Sequence, residues 1–176
     1  MPNNLPTPAI IGIFGISGTI LVALISTGIT LYITRARIRA QILLDLYRDF
    51  NSLEFCGARN EAHKFLQQHP DKNIHQAETL AGGHHVFAVV RFYQRLWLLI
   101  NNKLIPTKFV GRLFGEVFYL WYYDHFEDRL LPLQWQIARN IESLKGWFEE
   151  NCSVNETKLW TERAKRDIAK QPNMLN

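Results

Sequence analysis

Apolar positions fall into two regimes along the chain. Over residues 9–33 they run nearly without interruption, AIIGIFGISGTILVALISTGITLYI, with nothing more polar than Ser and Thr. From Arg35 onward they recur at helical spacing. Ile38, Ile42, Leu43, Leu46, Tyr47 and Phe50 trace one stripe, and no Gly or Pro separates it from the apolar run. Asn51-Ser52 marks a joint. A helix over 53–68 follows, with Phe55, Ala58, Ala62, Phe65 and Leu66 inward. It stops before His69-Pro70, because the residue preceding proline disfavours the α region. A polar connection over 71–83 holds a short helix at 74–80, ended by Gly82-Gly83.

The clearest stripe is Val86, Val89, Val90, Tyr93, Leu96, Trp97 and Ile100, which predicts a helix over 84–102 closed by Asn101-Asn102-Lys103. Residues 107–123 predict the next, with Val110, Leu113, Phe114, Val117, Leu120 and Trp121 inward. So short a connection predicts a helical hairpin. Residues 124–131 are amphipathic up to Pro132, and 133–149 are helical again. Ser153 and Glu156 have capping-box spacing and open a last helix to about residue 170. No segment alternates as a strand would. The expected fold is all-α: one N-terminal transmembrane helix, then an antiparallel bundle of five to six helices over 35–170, and a disordered tail over 171–176.

As a helix, the 25 residues 9–33 extend about 37 Å, and a bilayer core needs about 20 residues. A single segment in lipid satisfies its backbone only as a helix. Residues 1–34 contain no Asp, Glu, Lys or Arg; Arg35, Arg37 and Arg39 then follow as a stop-transfer pattern. A cleaved signal peptide would carry a basic start and a small-residue cleavage site, and neither is present. Positive charge favours the cytoplasmic side. The expectation is therefore an inner-membrane protein with residues 1–8 outside, 9–34 spanning and the rest cytoplasmic. The same arginines would lie near anionic headgroups. Gly12, Gly15 and Gly18 recur every three residues and form a candidate helix contact within the membrane. The partners expected are the lipid bilayer and another membrane protein or a second copy.

Composition narrows the chemistry. With 47% apolar and 12% aromatic residues in 176, the chain is not wholly disordered. Two cysteines, Cys56 and Cys152, exclude a disulfide-dense scaffold and a four-cysteine zinc site. The net charge of +4 is dispersed and not interleaved with aromatics, so no nucleic-acid partner is expected. There is no phosphate-binding glycine loop, no nucleophile elbow and no His-Glu-x-x-His. Six histidines lack local metal-ligand spacing, and nothing local supports a site built from His63, His84 and His125 across three helices. No catalytic residue, cofactor or metal is therefore expected. Arg91, Arg95, Arg112 and Arg139 balance Glu116, Asp124, Glu127 and Asp128 as solvated charge, with Arg139 the candidate for a buried pair.

One stretch exceeds the needs of a plain core. Phe109 and the run 114–126 carry eight aromatic rings. Phe118, Tyr119, Tyr122 and Tyr123 together wrap around a helix. Such a helix is either enclosed on every side or shows rings to a partner, a second copy or the membrane surface. These four are the candidate interaction surface.

The run V-F-A-V-V-R-F-Y-Q-R-L-W-L-L-I-N-N-K-L-I-P, then F-V-G-R-L-F-G-E-V-F-Y-L-W and W-Q-I-A-R, resembles an uncharacterised family of small bacterial and archaeal proteins. The likeness covers about 86–160. It implies one N-terminal span and a cytoplasmic helical domain, with no assigned activity. The family often places an acid midway along the first of these helices; here Phe92-Tyr93-Gln94-Arg95 lacks it. The function expected is a membrane-anchored interaction module, an accessory or scaffold subunit and not an enzyme. The alternatives are a membrane-linked signalling or stress-response module, or a metal-dependent or hydrolytic enzyme built from scattered side chains.

Overall fold

A computed structural model describes residues 7–130 and 135–170, the side chains of 7–23 excepted. Every regular element among the described residues is helical: α1 (Thr7–Phe50), α2 (Leu53–Gln68), α3 (Ile74–Ala77), α4 (His84–Asn101), α5 (Glu116–Trp121), α6 (Gln136–Asn151) and α7 (Val154–Lys170). The all-α expectation holds. The predicted tail over 171–176 and the helix start at Leu133 lie outside the described residues.

The chain divides into two units, Met1–Gln41 and Ile42–Asn176. The first contains α1 up to its last turns. Leu24, Ile25, Ile29, Leu31, Tyr32 and Ile33 are all exposed there, as are Arg35, Arg37 and Arg39. Thr30 Oγ1 donates to the Ser26 carbonyl at 2.8 Å, so this hydroxyl is satisfied within its own helix. Ile38, predicted inward, is 55% exposed. Among the described residues no helix is long and apolar enough to cross a membrane. The side chains over 9–23 of the predicted span, and with them the candidate contact at Gly12, Gly15 and Gly18, lie outside the described residues.

The second unit holds the core. Local chemistry sets its helix ends. Ser52 Oγ caps α2 by accepting from the Phe55 N–H at 3.1 Å. Ser153 and Glu156 form the predicted reciprocal box before α7: Ser153 Oγ accepts from the Glu156 N–H at 3.2 Å, and a Glu156 oxygen accepts from the Ser153 N–H at 3.1 Å. At the end of α4 the Lys103 N–H donates to Ile100 at 2.9 Å and the Leu104 N–H to Leu99 at 2.9 Å. That pair of hydrogen bonds is a Schellman closure, and it holds Lys103 at φ 55° where glycine is usual.

Helix α4 buries Val86, Phe87, Val89, Val90, Phe92, Tyr93, Leu96 and Ile100, more than one stripe, because α2, α3 and α6 all pack on it. The stretch from Thr107 to Phe126 changes pitch along its length. A 3-10 turn (Thr107–Phe109) and a π turn (Gly111–Gly115) precede α5, and a second π turn (Tyr122–Phe126) follows it. A regular 3.6-residue helix drifts by about 40° at each four-residue step. The wider π turns offset that drift, so Phe114, Phe118, Tyr122 and Phe126, spaced strictly by four, all reach the core.

The candidate interaction surface is core instead. Phe118 is 0%, Tyr119 1% and Tyr122 5% exposed, and Tyr123 is half-buried. Phe118 meets Tyr93 and Phe148 at ring separations of 5.2 and 5.1 Å; Tyr119 meets Trp160 at 5.6 Å. The helix is enclosed because α7 packs on α5 from another side. Two glycines make that close approach fit: a Cβ on Gly115 would lie 2.5 Å from the Trp160 ring, and one on Gly111 2.7 Å from Cys152 Sγ.

Candidate functional site

The second π turn carries more than packing. Its wide i to i−5 hydrogen bond runs from the Glu127 N–H to the Tyr122 carbonyl at 2.8 Å. A π turn separates neighbouring side chains by less than the about 100° of an α-helix. Asp124 and His125, adjacent in sequence, therefore both reach the same point on α2, where His63 meets them. His63 Nδ1 lies 2.8 Å from His125 Nε2 and 3.3 Å from Asp124 Oδ2; His125 Nε2 lies 3.2 Å from the same oxygen. These three atoms are a set able to hold a metal ion. Behind His63, the Gln67 amide sits 2.9 Å from Nε2. π turns inside helices recur at functional sites.

The cluster borders a cavity of about 400 Å³. Cys56, Arg59 and Asn60 of α2 line it opposite Val117, Leu120 and Trp121. The Arg59 guanidinium is held against the Phe50 ring, 4.3 Å from its centroid, and donates to Cys56 Sγ at 3.0 Å. His125 is 4% exposed, and its ring lies tilted against Trp121 at 4.9 Å. Burial pushes its imidazole down to about 4; the Asp124 carboxylate pulls it up, and His63 and Arg129 push it further down. Burial thus favours the neutral imidazole at His125. Its Nδ1 is buried and meets no hydrogen-bonding atom among the described residues.

His63 and His125 meet here, but without His84, the third histidine of the set that the sequence leaves unsupported. The His84 ring instead lies tilted against His85 at 3.9 Å and borders a different cavity with Glu78 and Phe87. Asp124 takes the third place, and its role was missed because only the π turn brings two adjacent residues onto one face. The signal in the sequence was the strict four-residue aromatic spacing around it. The other histidines serve local structure: His69 stacks on Phe65 at 4.4 Å, and His75 lies 5.3 Å from the Trp135 ring.

Among the described residues Arg139 makes no buried ion pair; its guanidinium donates to Gln136 Oε1 at 2.6 Å on an exposed face. Glu116 pairs with Arg163 at 2.6 Å, and Arg95 with Asp49 at 3.2 Å. Arg129 donates to the Leu66 carbonyl at 2.9 Å, while its own carbonyl accepts from the Ile74 N–H at 2.9 Å. That pair of bonds holds the strand of chain after the π turn against α2 and α3. No protein-family model, curated protein or solved structure matches the chain.

Proposed function

We propose that the chain is a single-pass inner-membrane protein whose helical unit works as an accessory or scaffold subunit on the cytoplasmic side. The observation that carries this reading is the composition of α1. Its uncharged apolar length, with Leu24, Ile25, Ile29, Leu31 and Ile33 exposed, gives way to exposed Arg35, Arg37 and Arg39. Apolar side chains in such number gain about 25 cal/mol per Å² when removed from water. A bilayer supplies that removal, and the arginines suit the headgroups of the inner leaflet. Residues 1–8 would face outward and 9–34 would span. The work proposed is contact with another membrane protein or a second copy through the span, on the Gly12, Gly15 and Gly18 side.

The test is fractionation and labelling of cells producing the full chain. The protein should stay in membranes through alkaline carbonate washing. An impermeant maleimide should label Asn4→Cys in intact spheroplasts and reach Cys56 only after lysis. Release by carbonate, or labelling of Cys56 in intact spheroplasts, overturns the reading. A signalling role is the second reading, favoured by the absence of any break in α1 between Thr7 and Phe50. A stimulus-dependent change in disulfide cross-linking between cysteines placed over 35–41 would support it.

A further inference from the structure

We infer that His63, Asp124 and His125 form a binding site for one divalent first-row transition-metal ion, with open coordination positions facing the cavity between α2 and the Glu116–Phe126 stretch. The inference goes beyond the membrane-anchor reading and does not depend on it.

The geometry of the three donor atoms is the first argument. Their edges are 2.8, 3.2 and 3.3 Å. Metal–ligand bonds of about 2.0–2.1 Å put neighbouring ligand atoms about 3.0 Å apart in an octahedral shell and about 3.3 Å apart in a tetrahedral one. The observed triangle spans those values. Two imidazoles and one carboxylate on a single triangular face are the donor set of metal sites that keep positions open for water or a small oxygen ligand. A cation centred on the triangle satisfies all three at once.

The surroundings are the second argument. A cavity of about 400 Å³ adjoins the triangle, so the ion has an entry path and room for further ligands. The Gln67 amide nitrogen lies 2.9 Å from His63 Nε2, the ring nitrogen that does not face the triangle, and holds the ring in place. His125 lacks the matching support, because its Nδ1 meets no acceptor among the described residues. An unsupported histidine lowers metal affinity by roughly 10- to 100-fold. The expected affinity is therefore about 10- to 100-fold below that of a site with both histidines supported.

The test uses the full chain in detergent, stripped with chelator and dialysed. Titration with Co²⁺ should produce visible d–d absorption saturating at one equivalent, and Zn²⁺ should displace it. His63→Gln and Asp124→Asn should each weaken binding by about tenfold or more while far-ultraviolet dichroism is unchanged. The double variant His84→Gln/His85→Gln should bind as the parent does. Absence of a cobalt band and of zinc heat in the folded parent overturns the site. So does equal binding by His63→Gln, whose half-exposed position makes it the deciding variant if His125→Gln fails to fold.

Discussion

Gly115 and Gly146 show how one residue type takes opposite roles. Both lie in helical stretches, where glycine costs about 1 kcal/mol relative to alanine. A Cβ at Gly146 meets nothing within 4 Å, whereas at Gly115 it would enter the Trp160 ring. Gly146→Ala should therefore raise stability by about 0.5–1 kcal/mol. Gly115→Ala should lower it by about 1–3 kcal/mol, because a rigid indole cannot yield as a flexible side chain can. Thermal unfolding in detergent, read by dichroism, checks both signs. Tyr93 supplies a third case. It is wholly buried, and its hydroxyl meets no partner among the described residues. Tyr93→Phe removes an uncompensated polar group, so stability should hold or rise by about 1 kcal/mol. A clear loss would mean that the hydroxyl is bonded in solution.

At the scale of the element, helix ends and helix faces behave differently. The ends follow short-range rules, which is why Ser52, His69-Pro70, Asn101-Asn102 and Ser153 were readable as boundaries. The closure of α4 follows the Schellman pattern with an unusual occupant, Lys103 at φ 55°. A side chain in the left-handed region costs about 1 kcal/mol, which glycine avoids. Lys103→Gly should raise the melting temperature by about 2–4 °C in a chain of this size. No change would show the turn to be strain-free. Helix faces were less legible. The stripe assigned to 107–123 assumed a constant pitch, and two π turns broke that assumption. Leu113 and Val117 are only partly buried, while Phe118, Tyr119 and Tyr122 are core.

For the molecule as a whole, burial of phenols has a consequence that a titration can reach. Burial pushes the hydroxyls of Tyr93, Tyr119 and Tyr122 well above the ordinary value of 10, with Glu149 adding to the effect at Tyr119 and Glu142 at Tyr122. Above pH 10 the unfolded chain releases these protons and the folded chain keeps them. Proton release by the unfolded state then favours unfolding, so stability present below pH 10 is lost as pH rises. Phenolate absorbance should rise in a cooperative step together with loss of helical dichroism. Gradual ionisation of all six tyrosines with the helices intact would contradict the burial of these three.

The all-helical class, most helix limits and the contrast between an uncharged leading segment and a mixed-charge remainder were determined by the amino-acid sequence alone. They rest on interactions between residues a few positions apart: capping side chains, prolines, polar turns and the periodicity of apolar groups. Tertiary structure decided which side of the aromatic helix is enclosed, because that depends on α7 closing over Gly111 and Gly115 through Trp160. It also decided that His63 meets Asp124 and His125 rather than His84. Those partners are about sixty positions apart, and a π turn aims two neighbours at one point. No local pattern encodes such a meeting, because it arises only when the packed core brings distant turns together.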